Sequence, residues 1–268
     1  MLANYFPLDA KSISRLATKG LPLEKLKSQI DESIDFSLEL WRSQGLDLVK
    51  SKGYYYFSTK FIPMNEAEFC IVDIETNGSK IDKHQIIEIA GLKIKNGKVI
   101  DSFESLVKCS IINEHITAIT GISVKDTLDA PSLKDVLYKF KLFIGDAVFI
   151  AHDVKFDYKF ISQSMQKIGL EPLLNRSLCS LGLAERTIES YRYALSYLND
   201  TFRLNLNANH HRAMSDVMTT YGLFKLSLEN INENINNVED LIKFSKDAKR
   251  LKRPKFDPLK EDQLASSE

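Results

Sequence analysis

Phe69-Cys70-Ile71-Val72-Asp73-Ile74-Glu75-Thr76 is an apolar run that closes on two carboxylates one residue apart. Side chains alternate across a strand, so Ile71, Asp73 and Glu75 share one face while Cys70, Val72 and Ile74 share the other. The run therefore predicts a buried strand with two acids side by side at its end. Packing gives no reason for such a pair, because buried like charges raise one another's pKa and cost stability until a cation neutralises them. A metal ion is the cation that this arrangement calls for.

Outward from this strand the pattern is that of one α/β domain. Residues 86–95 and 99–108 read as two further strands joined at Asn96-Gly97, a strong hairpin signal, so three consecutive strands should be antiparallel neighbours. A short helix near 114–119 ends at a Thr120-Gly121 break, and a longer one over 132–144 has Leu133, Val136, Leu137 and Phe140 on its apolar face. Residues 147–151 form a fourth, buried strand that feeds directly into a helix over 154–168, ended by Gly169. A weak fifth strand is expected at 177–181, with helices near 182–189 and 192–198. The last long helix, 212–228, carries the stripe Ala213, Val217, Tyr221, Phe224 and Leu228. A mixed five-stranded sheet with helices on its faces follows.

Residues 1–65 read as a separate small module. Leu23, Leu26 and Ile30 follow Pro22 at helical spacing, Phe36, Leu38, Leu40 and Trp41 suggest a second helix, and 46–57 reads as two strands around Ser51-Lys52-Gly53. Helices followed by a hairpin fit a winged helix, or else a helical cap with a hairpin packed on its neighbour. Residues 62–65 are the expected linker to a domain spanning 66–230. Residues 231–268 contain one more helix, 238–248, and then a basic run in which Lys249, Arg250, Lys252, Arg253 and Lys255 fall within seven positions. Such a run is ordinarily a solvated, flexible segment; contact with a nucleic-acid backbone or a partner protein is the alternative.

Composition narrows the class. Apolar residues make up 44% and charged residues 27% of the 268-residue chain, as in an ordinary soluble globular protein. Thirty-six basic residues balance thirty-six acidic ones, so any attraction to nucleic acid must come from local patches. Cys70, Cys109 and Cys179 are odd in number and widely spaced, which reads as reduced cysteines of a cytoplasmic protein. The first ten residues lack a basic-then-apolar leader pattern, and no run approaches the ~20 apolar residues of a membrane span, so no membrane association is expected.

Two further clusters carry chemistry. In Ala151-His152-Asp153-Val154-Lys155-Phe156-Asp157, Asp157 heads a stripe continued by Ile161, Met165 and Ile168, which places one acid on an apolar face beside the end of the fourth strand. Asp153 has a simpler explanation as a helix N-cap. In His210-His211-Arg212-Ala213-Met214-Ser215-Asp216, five residues of helix turn the chain about 140° beyond a full turn. His211 is therefore expected on the preceding loop, reaching over the site, with Asp216 beside the buried stripe; the spacing to Asp216 selects His211 over His210. Four acids and a histidine meet the demand of a site in which two divalent ions ~3.5–4 Å apart activate a water and stabilise the leaving oxygen of a phosphoryl displacement. Oxygen ligands suit Mg²⁺ or Mn²⁺, and the lack of Cys/His clusters argues against zinc. A histidine titrating near neutrality could accept the proton of the attacking water.

In order and spacing, Asp73-Ile74-Glu75-Thr76, the cluster ending at Asp157 and the cluster ending at Asp216 resemble the three motifs of the DEDDh 3′–5′ exonucleases. Within that group the chain is similar to the proofreading epsilon subunits of bacterial DNA polymerase III. The resemblance covers about 68–230. It implies a ribonuclease-H-like fold, Asp73, Glu75, Asp157 and Asp216 as ligands of two divalent cations, His211 as general base, and release of nucleoside 5′-monophosphates from a DNA 3′ end, with a DNA polymerase catalytic subunit as a possible partner. It also implies that Thr76 and the backbone around Ile74 contact the terminal nucleotide and that Phe156 or Phe160 supports the site. Asp153 stands where the family usually has Asn, Asn77 where it often has a second threonine, and Cys179 where many relatives have an acid. The competing readings are an RNA-directed exonuclease of the same fold, which differs by a 2′-hydroxyl contact that the motifs do not reveal, and a non-enzymatic replisome interaction subunit.

Overall fold

The computed structural model describes residues 5–231, 234–257 and 259. Its N-terminal part comprises α1 (Ala10–Ala17), β1 (Leu21–Pro22), α2 (Leu23–Lys27), α3 (Ile34–Ser43), β2 (Leu48–Ser51) and β3 (Tyr54–Phe57). The strands are antiparallel in the order β1-β3-β2. Helix α1 has no counterpart in the sequence reading. It is started by Asp9, whose carboxylate accepts the Ser12 N–H at 2.7 Å, and buries Leu16. A core of Leu16, Leu21, Leu26, Trp41 and Phe57 is closed by Phe6, whose ring meets Trp41 edge-on at 4.6 Å. Leu174 of the following region completes that core, and its N–H donates to the Gln44 carbonyl at 2.9 Å. The N-terminal module thus packs on its neighbour. Residues 62–65 are not a loose linker, because Ile62 and Met64 pack into the next core and Pro63 bridges Asn237.

The second sheet contains β4 (Glu68–Thr76), β5 (Ile86–Lys95) and β6 (Lys98–Leu106). Next come α4 (Glu114–Thr120), α5 (Val124–Thr127) and α6 (Leu133–Ile144), then β7 (Val148–Ala151), α7 (Val154–Lys167) and β8 (Ser177–Cys179). The remaining helices are α8 (Ser180–Thr187), α9 (Leu195–Phe202), α10 (Ala213–Glu229) and α11 (Val238–Asp247). Strand order is β6-β5-β4-β7-β8; β5 is antiparallel to both β4 and β6, and β7 and β8 run parallel to β4. Asn96 and Gly97 both adopt positive φ, the conformation that a tight hairpin turn demands.

Alternation along β4 sorts the two cores. Cys70, Val72 and Ile74 pack with Val136 and Phe140 of α6 and Tyr158 and Ile161 of α7. Phe69 and Ile71 pack with Val217 and Phe224 of α10 and Leu241 of α11. Helix α11 crosses α8 so closely that the Ser245 carbonyl lies 2.9 Å from where a Cβ of Gly182 would stand. Glu239 of α11 ties the N-terminal part in, accepting Thr59 Oγ1 at 2.6 Å and pairing with Arg176 at 2.6 Å. No helix of the described residues is long and apolar enough to cross a membrane.

Some boundaries differ from expectation for local reasons. Helix α8 starts at Ser180 and shortens the fifth strand, because Cys179 Sγ accepts the Gly182 N–H at 3.4 Å and caps the helix two residues early. The helix expected over 192–198 is displaced to α9, since Ser190 bonds the Arg192 carbonyl and Tyr193 turns its own carbonyl toward His152. The basic run is not free in solvent: Leu251 N–H donates to the Glu185 carbonyl, and Arg250 pairs with the Glu185 carboxylate.

Candidate active site

Strand β4 carries Asp73 and Glu75 on the face that turns toward α10. Pairing with β7 stops at Ile71 and Ile150, so β4 outruns its parallel neighbour and its last residues border an open end. Into that gap α7 sends Asp157 from its first turn, 5% exposed, where the backbone N–H groups of Asp157 and Ile74 favour its charged form. Helix α10 delivers Asp216 from its own first turn, and the His211 N–H donates to Asp216 Oδ2 at 3.1 Å. His211 holds this loop with φ of 64°, a left-handed conformation that is uncommon for a side-chain-bearing residue. Ligand atoms of Glu75, His211 and Asp216 lie within 4.8 Å of one another. His210 instead faces Asp216 Oδ1 through Nδ1 at 3.3 Å.

Burial, followed by the crowding of acids, sets the electrostatics. Burial holds the Asp73 carboxyl well above the usual carboxylate range, and Asp157, Asp216, Glu75 and Glu88 push it further. Glu75 is pushed up to about 8 by burial, then by Asp216, Glu88 and Asp157, against a smaller pull from Arg212. Asp157 is raised to about 7, mainly by burial. These groups bind protons more readily folded than unfolded. Their contribution to stability is therefore complete below their ordinary values near 4 and is lost as pH rises through about 7 to about 8. In chelator, the melting temperature should fall between about pH 4 and about pH 8, and Mg²⁺ or Mn²⁺ should raise it most at the upper end. A flat profile without metal, or no shift with it, would remove the case for a cation site here.

A family model for the RNase T group, described as Exonuclease, matches residues 70–224, more than half of the chain. The chain belongs to this exonuclease family. Among curated relatives, the DNA polymerase III PolC-type of Caldanaerobacter subterraneus subsp. tengcongensis is 39% identical over 170 residues, which cover 63% of this chain and 12% of the relative. That of Staphylococcus haemolyticus is 32% identical over 181 residues, 66% of this chain and again 12% of the relative. The chain thus spans about 12% of the length of these relatives. Exonuclease X in complex with 5′ overhanging duplex DNA aligns at a TM-score of 0.53 and 24% identity, covering 66% of this chain and 99% of that one. Escherichia coli exonuclease I in complex with a dA16 oligonucleotide aligns at 0.56 and 16%, covering 62% and 41%. These neighbours share the ribonuclease-H-like fold.

In the exonuclease the remaining expected residues take distinct places. Thr76 lies past an irregularity in the β4–β5 register, partly exposed, and Ile74 is buried beneath the acids. Phe156 is exposed on the first turn of α7, whereas Phe160 is in the core, their centroids 5.6 Å apart. Asp153 occupies the N-cap of α7 at φ of 64° but makes no side-chain cap bond, so the simple capping explanation fails. Asn77 is structural: its Oδ1 accepts the Gln85 N–H at 2.8 Å and its Nδ2 donates to the Ile111 carbonyl at 2.7 Å. His152 is held by Ser180 and the Tyr193 carbonyl, and burial depresses its pKa.

The sequence reading missed Glu88. It is 1% exposed on β5, directly opposite Glu75, an unfavourable like-charge placement. Arg212 offsets it, donating Nη2 to Oε1 at 2.7 Å and Nε at 3.2 Å, and the Ala213 N–H adds a bond at 2.9 Å. Glu88 therefore clamps the start of α10, between His211 and Asp216. An acid inside Ile86-Ile87-Glu88-Ile89-Ala90 repeats the signal that marked Asp73 and could have been found the same way. Glu88→Ala leaves the Ala213 N–H unbonded, so denaturant unfolding should show a loss of about 1–3 kcal/mol.

Proposed function

We propose that the chain is a divalent-metal-dependent 3′–5′ exonuclease that removes nucleoside 5′-monophosphates from DNA 3′ ends, as a proofreading activity. The observation that carries this reading is the gathering of Asp73, Glu75, Asp157 and Asp216 around one open strand end, where burial raises the pKa of three of them and the neighbouring acids raise Asp73 and Glu75 further. The donor set fits Mg²⁺ or Mn²⁺, because hard cations take oxygen ligands and would relieve this repulsion. Two bound ions would supply charge stabilisation and an activated water. His211, exposed on its loop yet with its ring beside Glu75 and Asp216, is placed to accept the proton from that water. The Ile74 backbone and Thr76 would orient the terminal nucleotide, and the exposed Phe156 ring offers a base a stacking surface, with Phe160 buttressing it from the core.

DNA is favoured as substrate, and a DNA polymerase catalytic subunit as partner, because the sequence relatives are DNA polymerases in which the matched stretch is a small part. The activity is assigned to residues 66–230, with 1–65 and 231–268 as flanking regions. The test is digestion of a 5′-labelled primer bearing a matched or mismatched 3′ end, with and without chelator, beside an RNA strand of the same sequence. Stepwise, metal-dependent shortening with faster removal of the mismatch is expected. No shortening from the 3′ end would exclude the reading, and preference for RNA would replace it with the RNA-directed alternative.

A further inference from the structure

The basic run 249–255 is built onto the exonuclease. Arg186 donates to the Lys246 and Ala248 carbonyls at 2.5 and 2.8 Å, which fixes where the run begins. The Glu185 carboxylate takes Arg250 Nε at 3.0 Å and Arg253 Nη2 at 3.7 Å, and Arg253 also lies over the Tyr193 ring at 5.2 Å. Tyr197 secures the far end by donating to Asp257 at 2.5 Å. These contacts engage two of the five cations. Lys249, Lys252 and Lys255 are exposed and make no ion pair among the described residues.

The strip is connected through Tyr193 to His152, five residues before Asp157. Tyr193, beneath Arg253, places its carbonyl 2.8 Å from His152 Nε2, and His152 is within electrostatic reach of Asp153 and Asp216. Next to Tyr193, the exposed Arg192 lies over the rings of Tyr191 at 5.8 Å and Tyr197 at 6.0 Å. Phe256 at the end of the run is 72% exposed. Exposed cations therefore sit beside the partly exposed Tyr191 ring and the open Phe256 ring.

That combination selects among anionic partners. A single strand offers both phosphates and unpaired base faces. A duplex hides its base faces, and an acidic peptide would leave the rings unused. The need for the strip follows from charge: the cleft is lined with acids and the chain carries no net charge, so attraction for a polyanion has to be local. We propose that Arg192, Lys249, Lys252 and Lys255, with Tyr191 and Phe256, bind the single-stranded DNA that leads to the active site. Only the choice of DNA as the polynucleotide rests on the function proposed above.

The test uses the full chain in chelator, so that binding is read without hydrolysis. Anisotropy of a labelled oligothymidylate is followed across a salt series. In Arg192→Gln/Lys252→Gln/Lys255→Gln, the slope of log affinity against log salt should shrink by about 2, at about 0.7 per lost single-strand phosphate contact. Tyr191→Ala/Phe256→Ala should weaken binding by about tenfold or more with the slope retained, as expected for lost stacking. Lys11→Gln/Lys98→Gln/Lys139→Gln removes the same charge elsewhere and should keep the parent slope. Equal slopes in both triple variants overturn the proposal, as does tighter binding of duplex, of oligoglutamate or of oligouridylate than of oligothymidylate. Digestion by the parent with Mg²⁺ is measured separately. Failure there strikes the exonuclease reading and leaves the binding comparison standing, while parity in binding strikes the strip alone.

Discussion

Asp73→Asn is expected to abolish 3′-end degradation while leaving the metal-free protein as stable as the parent, or more stable. The carboxyl lies among Asp157, Asp216, Glu75 and Glu88 and is held well above its ordinary range. Removing it relieves repulsion in the empty site and keeps nearly the same volume. The same change deletes an oxygen proposed above as a cation ligand. The rate loss should therefore exceed the about 100- to 1,000-fold that follows loss of one transition-state donor. Opposite signs for stability and activity are the signature of a site whose strain serves function. Primer digestion and thermal melting in chelator read the two effects. Full activity in the variant would remove Asp73 from the site.

The second large effect separates two adjacent histidines. His211→Ala should lower turnover by about 100- to 10,000-fold, the usual weight of a general base, with metal-induced thermal stabilisation largely kept. His210 approaches Asp216 from the other side, at 3.3 Å, and acts on how that carboxylate is held. His210→Ala should accordingly raise the metal concentration needed for half-maximal rate, with a smaller loss at saturating metal. Turnover collapsing in His210→Ala, with His211→Ala near the parent, would exchange the two assignments.

Much of this was legible because the informative signals are violations of patterning. Asp73, Glu75 and Asp157 each interrupt an apolar period, and a period is readable over a few residues without knowing the fold. The same logic would have exposed Glu88, but its meaning lies in an ion pair with Arg212 that joins positions far apart in sequence. The structural role of Asn77 was hidden for a similar reason, since its partners Gln85 and Ile111 come together only when the loops close. Helix α1 escaped notice because its signal is a single cap and one buried leucine. The basic run reads as loose polymer until Glu185 and Arg186, on a helix some 60 residues earlier, are seen to hold it.

The strand order of the large sheet also governs when the site exists during folding. Strands β4, β5 and β6 are successive antiparallel neighbours, so the meander that carries Asp73, Glu75 and Glu88 closes through short loops. Asp157 needs the parallel crossover into β7, and Asp216 needs α10 to dock from near the end of the domain. Non-local closures of that kind cost more chain entropy and are slower. A nascent chain with only the meander in place would present two of the four proposed ligand acids and not His211. Under the proposed function, metal capture would act as a checkpoint on completion, and a partly folded copy would lack the groups needed to cut a strand.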